Sequence, residues 1–499
     1  MPFPDYDHHD ALGLAELVRR GEVTAVDLLD EAIARANRVN PAINAVICRL
    51  DDRARTRARG IVAGSPEAAG PFAGVPFLVK DFGPFLAGAP MTMGSRSLRE
   101  FVPNRDAELF ARSTAAGLNI FGKTNVPEFA HISYTEPELF GPCRNPWNTG
   151  YTPGGSSGGA AAAVAAGIVP MAHGNDGGGS IRIPASCTGL FGLKPSRGRQ
   201  PLGPDGVDLA GALAVDHVLS RSVRDSAAML DVTHDRDPGA SFVAPSPVGA
   251  FLAACGRDPE PLRVAMIPGA MLGKEVHPEA RAAQERTAKL LAGLGHRVEE
   301  VALPLDYDEV RRAYTLLFVT NVAQAVGQAE QLVGRRVGRD EIEVLPWFCH
   351  SHLHSLRADD LAWALAAEGR LARAIGGFMT SWDLLLTPTL AAPPLAIGER
   401  KLKPIEVQVL DLASRLRTGL LFDALVKQLS REAYDWAAFT PLFNMTGQPA
   451  MSVPLHWTAD GLPIGSQIVG RYGDEATLFA VAGQLERAQP WFDRRPPSP

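Results

Sequence analysis

Between Tyr151 and Ser180 the chain reads YTPGGSSGGAAAAVAAGIVPMAHGNDGGGS, and IRIPAS follows at once. Two serine-bearing glycine clusters, Gly154 to Gly159 and Gly177 to Ser180, bracket an alanine-rich segment that predicts a short buried helix and then a strand. Glycine adopts φ > 0 without steric cost and lets backbone N–H groups come close to a ligand. Each cluster puts a hydroxyl where the backbone is free to bend. A glycine run ending in Ser180 offers built-in oxyanion donors around a nucleophile.

The rest of the chain is organised around that stretch. Residues 10 to 40 carry two amphipathic helical patterns, the second closed by Asn40-Pro41. Residues 43 to 50 predict a strand, 51 to 62 a surface helix, 74 to 81 a strand, 106 to 117 a helix and 119 to 121 another short strand. This alternation points to an α/β architecture with largely parallel strands. A Pro/Gly/Asp-rich stretch at about 235 to 261 reads as a linker or surface excursion. Residues 262 onward open a second αβ segment, 306 to 380 read as mostly helical, and 383 to 394 form a strand stopped by prolines. The tail, FNMTGQPAMSVPL and GLPIGSQIVG followed by a helix from Glu475, returns to the α/β rhythm. Because strands recur at both ends around one glycine-rich centre, the reading is a single domain over 1–499. Its core is about 60–230 and 440–490, with a mostly helical excursion at about 235–435.

Composition excludes several classes. Hydrophobic residues make up 46% and charged ones 21% of 499 residues, close to globular averages, which argues against disorder and a membrane protein. The formal charge is −6 and no basic run tracks a phosphate backbone, so nucleic acid is not an expected partner. The N-terminus has no basic n-region or apolar h-region, and the apolar run from Ala160 to Met171 is too short to span a bilayer. A cytoplasmic location is expected. The five cysteines lack paired or CxxC spacing, which suits reduced, structural thiols.

Chemistry enters through a lysine. GVPFLVKD, Gly74 to Asp81, is an apolar run that stops at Lys80, and desolvation at the end of a buried strand lowers an ammonium pKa toward that of a general base. The competing reading is a strand-end lysine paired with Asp81. A serine hydroxyl is a weak nucleophile at pH 7 and needs a base within reach; Lys80 supplies one directly or through a second hydroxyl, with Ser156 and Ser180 as the candidates.

GVPFLVKD, FGKTNVPEFA, the block GGSSGGAAAAVAAG through NDGGGSIRIPASCTGLFGLKPSRGR, and FTPLFNMTGQPAMSVP with GLPIGSQIVG together resemble the amidase signature family over most of the chain. That resemblance implies a large, mixed, mostly parallel β-sheet sandwiched between helices and a serine hydrolase with a Ser–cis-Ser–Lys triad. Carried over by position, Lys80 is the base, Ser156 the bridging serine with a cis peptide bond, and Ser180 the nucleophile that forms an acyl-enzyme. The 24-residue separation of the two serines agrees with the family. Gly177, Gly178, Gly179 and the Ser180 N–H would form the oxyanion hole, with Ser157, Asp176 and Arg182 in support. No cofactor or metal is implied.

Other readings compete. GGSSG also fits G-x-S-x-G, the elbow of α/β-hydrolases, which would make Ser156 the nucleophile and call for a histidine such as His217 or His456. The amidase subunit of a tRNA-dependent amidotransferase looks similar through the core, and a non-catalytic scaffold is a further alternative. His350, His352 and His354 share one face only on a strand, and their surroundings read as helix or loop. His173 is expected near the serine loop in a structural role. TEPELFGPCRNPWN and HGNDGGGSIRIPAS resemble the branch that hydrolyses cyclic and linear aminohexanoate amides and, nearby, urethanes. The expected partner is thus a small, neutral, largely apolar amide or carbamate, acted on by a monomer or homodimer. Phe82, Met93, Phe140 and Trp147 are candidate pocket-lining groups, with Thr320 where the lactam-cleaving branch carries a cysteine.

Overall fold

The structure, a computed structural model, describes residues 3–208, 211–235, 237–416 and 419–497. Eleven strands form one sheet: β1 (Val46–Arg49), β2 (Pro76–Lys80), β3 (Asn119–Thr124), β4 (Met171–Asp176), β5 (Phe191–Lys194), β6 (Val215–Ser220), β7 (Arg263–Met266), β8 (Arg297–Glu300), β9 (Leu384–Pro388), β10 (Ala450–Trp457) and β11 (Pro463–Val469). Their order is β1-β3-β2-β4-β6-β5-β10-β11-β9-β7-β8. The sheet is mixed, as expected. Its pairing corrects the mostly parallel reading: parallel ladders are confined to β3-β2-β4 and β9-β7-β8, and the remaining pairs are antiparallel. The middle is antiparallel for a local reason. β10 and β11 are joined by a turn at 458–462, too short for the crossover that a parallel pair requires.

Helices cover both faces, and strand alternation shows it. In β9, Leu384 and Leu386 pack with Leu291 and Leu485, whereas Leu385 packs with Val310 and Leu371 on the other side. Successive strand side chains point to opposite faces, so the near-continuous apolar run LLL is what a strand buried on both sides needs. The 235–435 segment is more than a helical excursion. It supplies β7, β8 and β9 to the same sheet, and adds helices Tyr307–Val333, Val344–Ser351 and Ala358–Phe378.

One boundary differs from the sequence reading. The helix expected to close at Asn40-Pro41 runs from Ala25 to Ile43, and β1 starts only at Val46. A proline in the last turn forfeits one helical bond, and Asn40 compensates locally. Its carbonyl accepts the Asn44 N–H at 2.8 Å and its Oδ1 accepts the N–H groups of Ala45 (2.8 Å) and Val46 (2.7 Å).

The glycine–alanine stretch lies inside. Helix Gly158–Ala165 is buried along its whole length and packs against β2, β3 and β4. Its small side chains allow the close approach, and at Gly159 a β-carbon would strike the Asn125 backbone just past β3. Lys80 and Asp176 end β2 and β4, which are adjacent and parallel, so both arrive at the carboxyl end of the sheet, where ligands gather in α/β folds. Among the described residues no helix is long and apolar enough to cross a membrane. Ala162 is fully buried in this core. Ala162→Leu should therefore overpack it and lower the unfolding free energy by about 1–3 kcal/mol, read from urea denaturation.

Candidate active site

Lys80 is fully buried, and desolvation pushes its pKa down from 10.5 to about 7, partly opposed by Asp216 and Asp176. Its Nζ lies 2.6 Å from Ser156 Oγ and 2.6 Å from Asn175 Oδ1. The Asn175 amide can turn only one way, because its Nδ2 donates to the Phe82 carbonyl at 3.1 Å, which leaves Oδ1 toward the amine. A neutral amine that donates to Asn175 has its lone pair free for the Ser156 hydroxyl proton. The backbone N–H of Lys80 donates to His173 Nδ1 at 3.3 Å. The ring proton therefore sits on Nε2, which donates to Asp216 Oδ1 at 3.0 Å. The sequence alternative, a Lys80–Asp81 pair, does not form: Asp81 takes Lys123 instead, at 2.7 Å.

Ser156 follows a cis peptide bond from Gly155, and Ser156 and Ser180 both line a single cavity. Ser157 holds the two glycine clusters together. Its N–H donates to the Ser180 carbonyl at 3.3 Å and its Oγ to the Asn175 carbonyl at 3.2 Å. Asp176 and Arg182 form a fully buried ion pair, with Arg182 Nη2 2.8 Å from Oδ1 and Nε 2.9 Å from Oδ2. The guanidinium and the donated hydrogen bonds hold the Asp176 carboxyl well below the usual carboxylate range despite burial.

The oxyanion assignment needs one correction. The Gly179 N–H donates to Asp176 Oδ1 at 2.7 Å and is committed there. Among the described residues the N–H groups of Gly177, Gly178 and Ser180 have no partner, and these three residues line the cavity. Gly179 has its own reason to be glycine: φ is +127° and a β-carbon would strike Thr440.

The cavity measures about 1090 Å³. Phe82 and Met93 line it, whereas Phe140, Trp147 and Thr320 do not. Phe140 offers only its carbonyl, to Asn44 Nδ2, and the chain reaches the cavity one residue later at Gly141. Trp147 donates its indole N–H to the Thr188 carbonyl and packs against Trp457. Thr320 bonds back to the Leu316 carbonyl of its own helix; at 100° per residue the cavity-facing stripe passes through Phe318, Val319, Asn321 and Val322 and skips it.

The histidines lie elsewhere. His217 Nε2 bonds Ser226 Oγ at 2.8 Å and His456 Nε2 bonds Glu279 at 2.7 Å, and neither residue lines the cavity. Ser156 thus meets a lysine and no histidine. His350 bonds the Ala323 carbonyl and His352 the Phe348 carbonyl. Among the described residues no three His, Cys, Asp or Glu side chains are grouped to hold a metal ion.

Sequence reasoning missed Asn175, Asp216, Thr440, Asn444 and Gln467. Asn175 was legible in principle, since it precedes Asp176 at the end of the same strand. Asn444 and Gln467 reach Arg182 at 2.6 and 2.7 Å from more than 250 residues away, and nothing local announces such a contact.

A family model described as Amidase matches residues 27–479. A 6-aminohexanoate-cyclic-dimer hydrolase of Paenarthrobacter ureafaciens is 40% identical over 501 residues, covering 98% of this chain and 96% of the relative. A solved structure of 6-aminohexanoate cyclic dimer hydrolase complexed with substrate superposes with a TM-score of 0.88 at 37% identity, covering 99% of both chains. A bacterial aryl acylamidase structure gives 0.83 at 26% identity, over 97% of this chain and 96% of that one.

Removing Arg182 would leave the Asp176 charge buried without its counter-ion. Arg182→Met should cost about 3–5 kcal/mol of stability, measured by denaturant unfolding, whereas Arg20→Met, on an exposed i,i+4 pair with Glu16, should leave stability nearly unchanged.

Proposed function

Given that this chain belongs to the amidase signature family and is a hydrolase of carbon–nitrogen bonds, we propose that it cleaves its amides through an acyl-enzyme on Ser180, activated by Ser156 and Lys80. The observation that carries the reading is the 2.6 Å contact of a desolvated Lys80 with Ser156 Oγ, at the wall of the cavity that Ser180 also lines. Neutral Lys80 takes the Ser156 proton as Ser156 takes the one from Ser180, and Ser180 Oγ attacks the carbonyl carbon. The negative charge on the carbonyl oxygen is met by the N–H groups of Gly177, Gly178 and Ser180, each donor of this kind supplying about 3–4 kcal/mol. The proton returns through Ser156 to the leaving nitrogen, the C–N bond breaks, and water repeats the path to release the acid.

The substrate follows from the walls. Phe82, Met93, Ile132, Leu213 and Phe318 line much of the cavity, and the relatives named as 6-aminohexanoate-cyclic-dimer hydrolases take a neutral compound of methylene chains and amides. We assign this chain small, fairly apolar amides, cyclic or linear, with carbamates of the same shape as a second class.

A panel of cyclic amides, linear amides, anilides and carbamates tests this against four proteins. Wild type should turn over the apolar neutral members, and Lys80→Ala, Ser156→Ala and Ser180→Ala should each lose about 10³-fold or more. Near-wild-type turnover by Ser180→Ala would sink the reading. The base must be neutral, so protonation below its pKa removes the lone pair. Consequently kcat/KM should rise with pH through about 7 and level off above; an acid limb placed below pH 5 would remove Lys80 from the role.

A further inference from the structure

Four consecutive carbonyls of the serine loop are gripped by different parts of the chain. Asn444 Nδ2 donates to the Asp176 carbonyl at 2.8 Å, the Tyr314 hydroxyl to Gly177 at 3.3 Å, Thr440 Oγ1 to Gly178 at 2.6 Å, and the Ile183 N–H to Gly179 at 2.7 Å. In a planar trans peptide the N–H points opposite to the C=O. Each grip therefore fixes the direction of the next residue's N–H: Asn444 sets Gly177, Tyr314 sets Gly178, Thr440 sets Gly179 and Ile183 sets Ser180.

Tyr314 differs from the other three in where it comes from. Asn444 and Thr440 belong to the C-terminal part of the core and Ile183 to the loop's own helix. Tyr314 stands on helix Tyr307–Val333, which forms a cavity wall through Phe318, Val319, Val322 and Ala325. Its ring stacks on Phe318 at 6.0 Å and meets Tyr434 edge-on at 6.2 Å. Its hydroxyl sits so close over Gly178 that a β-carbon there would collide with it. Burial pushes the phenol pKa up, which keeps the hydroxyl a donor at any working pH.

We propose that Tyr314 is a positioning residue for the transition state: by holding the Gly177 carbonyl it aims the Gly178 N–H at the substrate oxyanion, and it ties that aim to the helix against which the substrate lies. The proposal rests on the reading of Ser180 as nucleophile. A substrate that seats on the helix also settles the donor. A poorly fitting one that displaces the helix misaims it and loses kcat rather than only affinity.

Tyr314→Phe removes the hydroxyl and keeps the ring packing. Its kcat should fall about tenfold, the worth of one hydrogen bond, with KM within about twofold of wild type, the pattern expected when the Gly178 N–H meets a charge that develops only in the transition state. A trifluoromethyl ketone isostere of the best amide, which forms a tetrahedral adduct with the same oxyanion, should lose affinity by the factor lost in kcat/KM. The acid limb set by Lys80 should not move, and the melting temperature should fall only by the few degrees that one lost hydrogen bond costs. Unchanged kcat, or a loss confined to KM with the ketone unaffected, overturns the proposal. Ser180→Ala assayed alongside separates the two failures. If it is inert while Tyr314→Phe is fully active, only the role of Tyr314 falls; if it stays active, both readings fall.

Discussion

The Asp176 carboxylate is the point on which the rest of the site depends. Burying one ionised carboxylate is costly unless its lone pairs are filled, and here they are filled from three directions. The Gly179 N–H (2.7 Å) and Asn444 Nδ2 (2.9 Å) reach Oδ1, the Ile181 N–H (3.2 Å) reaches Oδ2, and the Arg182 guanidinium spans both oxygens. Arg182 in turn holds the Thr440 carbonyl, Gln467 Oε1 and Asn444 Oδ1. One charge pair thereby joins the end of β4, the turn that presents Ser180, helix Pro441–Thr446 and β11. A glycine-rich loop has the largest conformational entropy to lose, and it is this network that overcomes it.

Two ionisable groups at adjacent strand ends are driven in opposite directions by their surroundings. Asp176 is buried with a cation and many donors, so it stays charged. Lys80 is buried beside an amide oxygen and a hydroxyl and has no carboxylate in contact, so desolvation wins and its pKa falls from 10.5 to about 7. That displacement is worth about 5 kcal/mol of preference for the neutral amine. The sign has a consequence for stability. The unfolded chain binds a proton at Lys80 that the folded one releases between about pH 7 and 10.5, so this group destabilises the fold at neutral pH and the penalty shrinks as pH rises through that window. The neutral amine is held at the expense of stability.

How much of this was legible in the sequence follows from how local each feature is. The buried Ala helix, the strand stopping at Lys80 and the serines in glycine clusters are short-range patterns; that Lys80 lies against Ser156, and that Ser156 and Ser180 line one cavity, is a long-range meeting the sequence left open. The parallel or antiparallel sense of the strands was misjudged because alternation of strands and helices along the chain does not encode how β5, β6, β10 and β11 interleave in the sheet. The assignment of Gly179 as an oxyanion donor failed because composition marks a glycine loop but not the direction of each N–H. The pocket residues were the least legible. Aromatic residues near the motifs, such as Phe140 and Trp147, looked suitable by type, yet a turn and a Trp–Trp contact take them away from the cavity.

On the proposed reading, recognition and catalysis are coupled through water. Phe82, Met93, Phe318, Val319 and Val322 give the cavity an apolar stretch of wall, which suits the proposed apolar acyl chain, and Lys80 stays fully buried behind Ser156. Phe82 makes the link directly: its carbonyl orients Asn175 and its ring lies 5.8 Å from Lys80 Nζ. A polar side chain introduced on this wall would admit water, raise the pKa of Lys80 and blunt the base even if the substrate still bound. On that reading, affinity for apolar substrates and a neutral base at physiological pH are consequences of the same surface, and a wall redesigned for a polar substrate has to find another way to keep Lys80 dry.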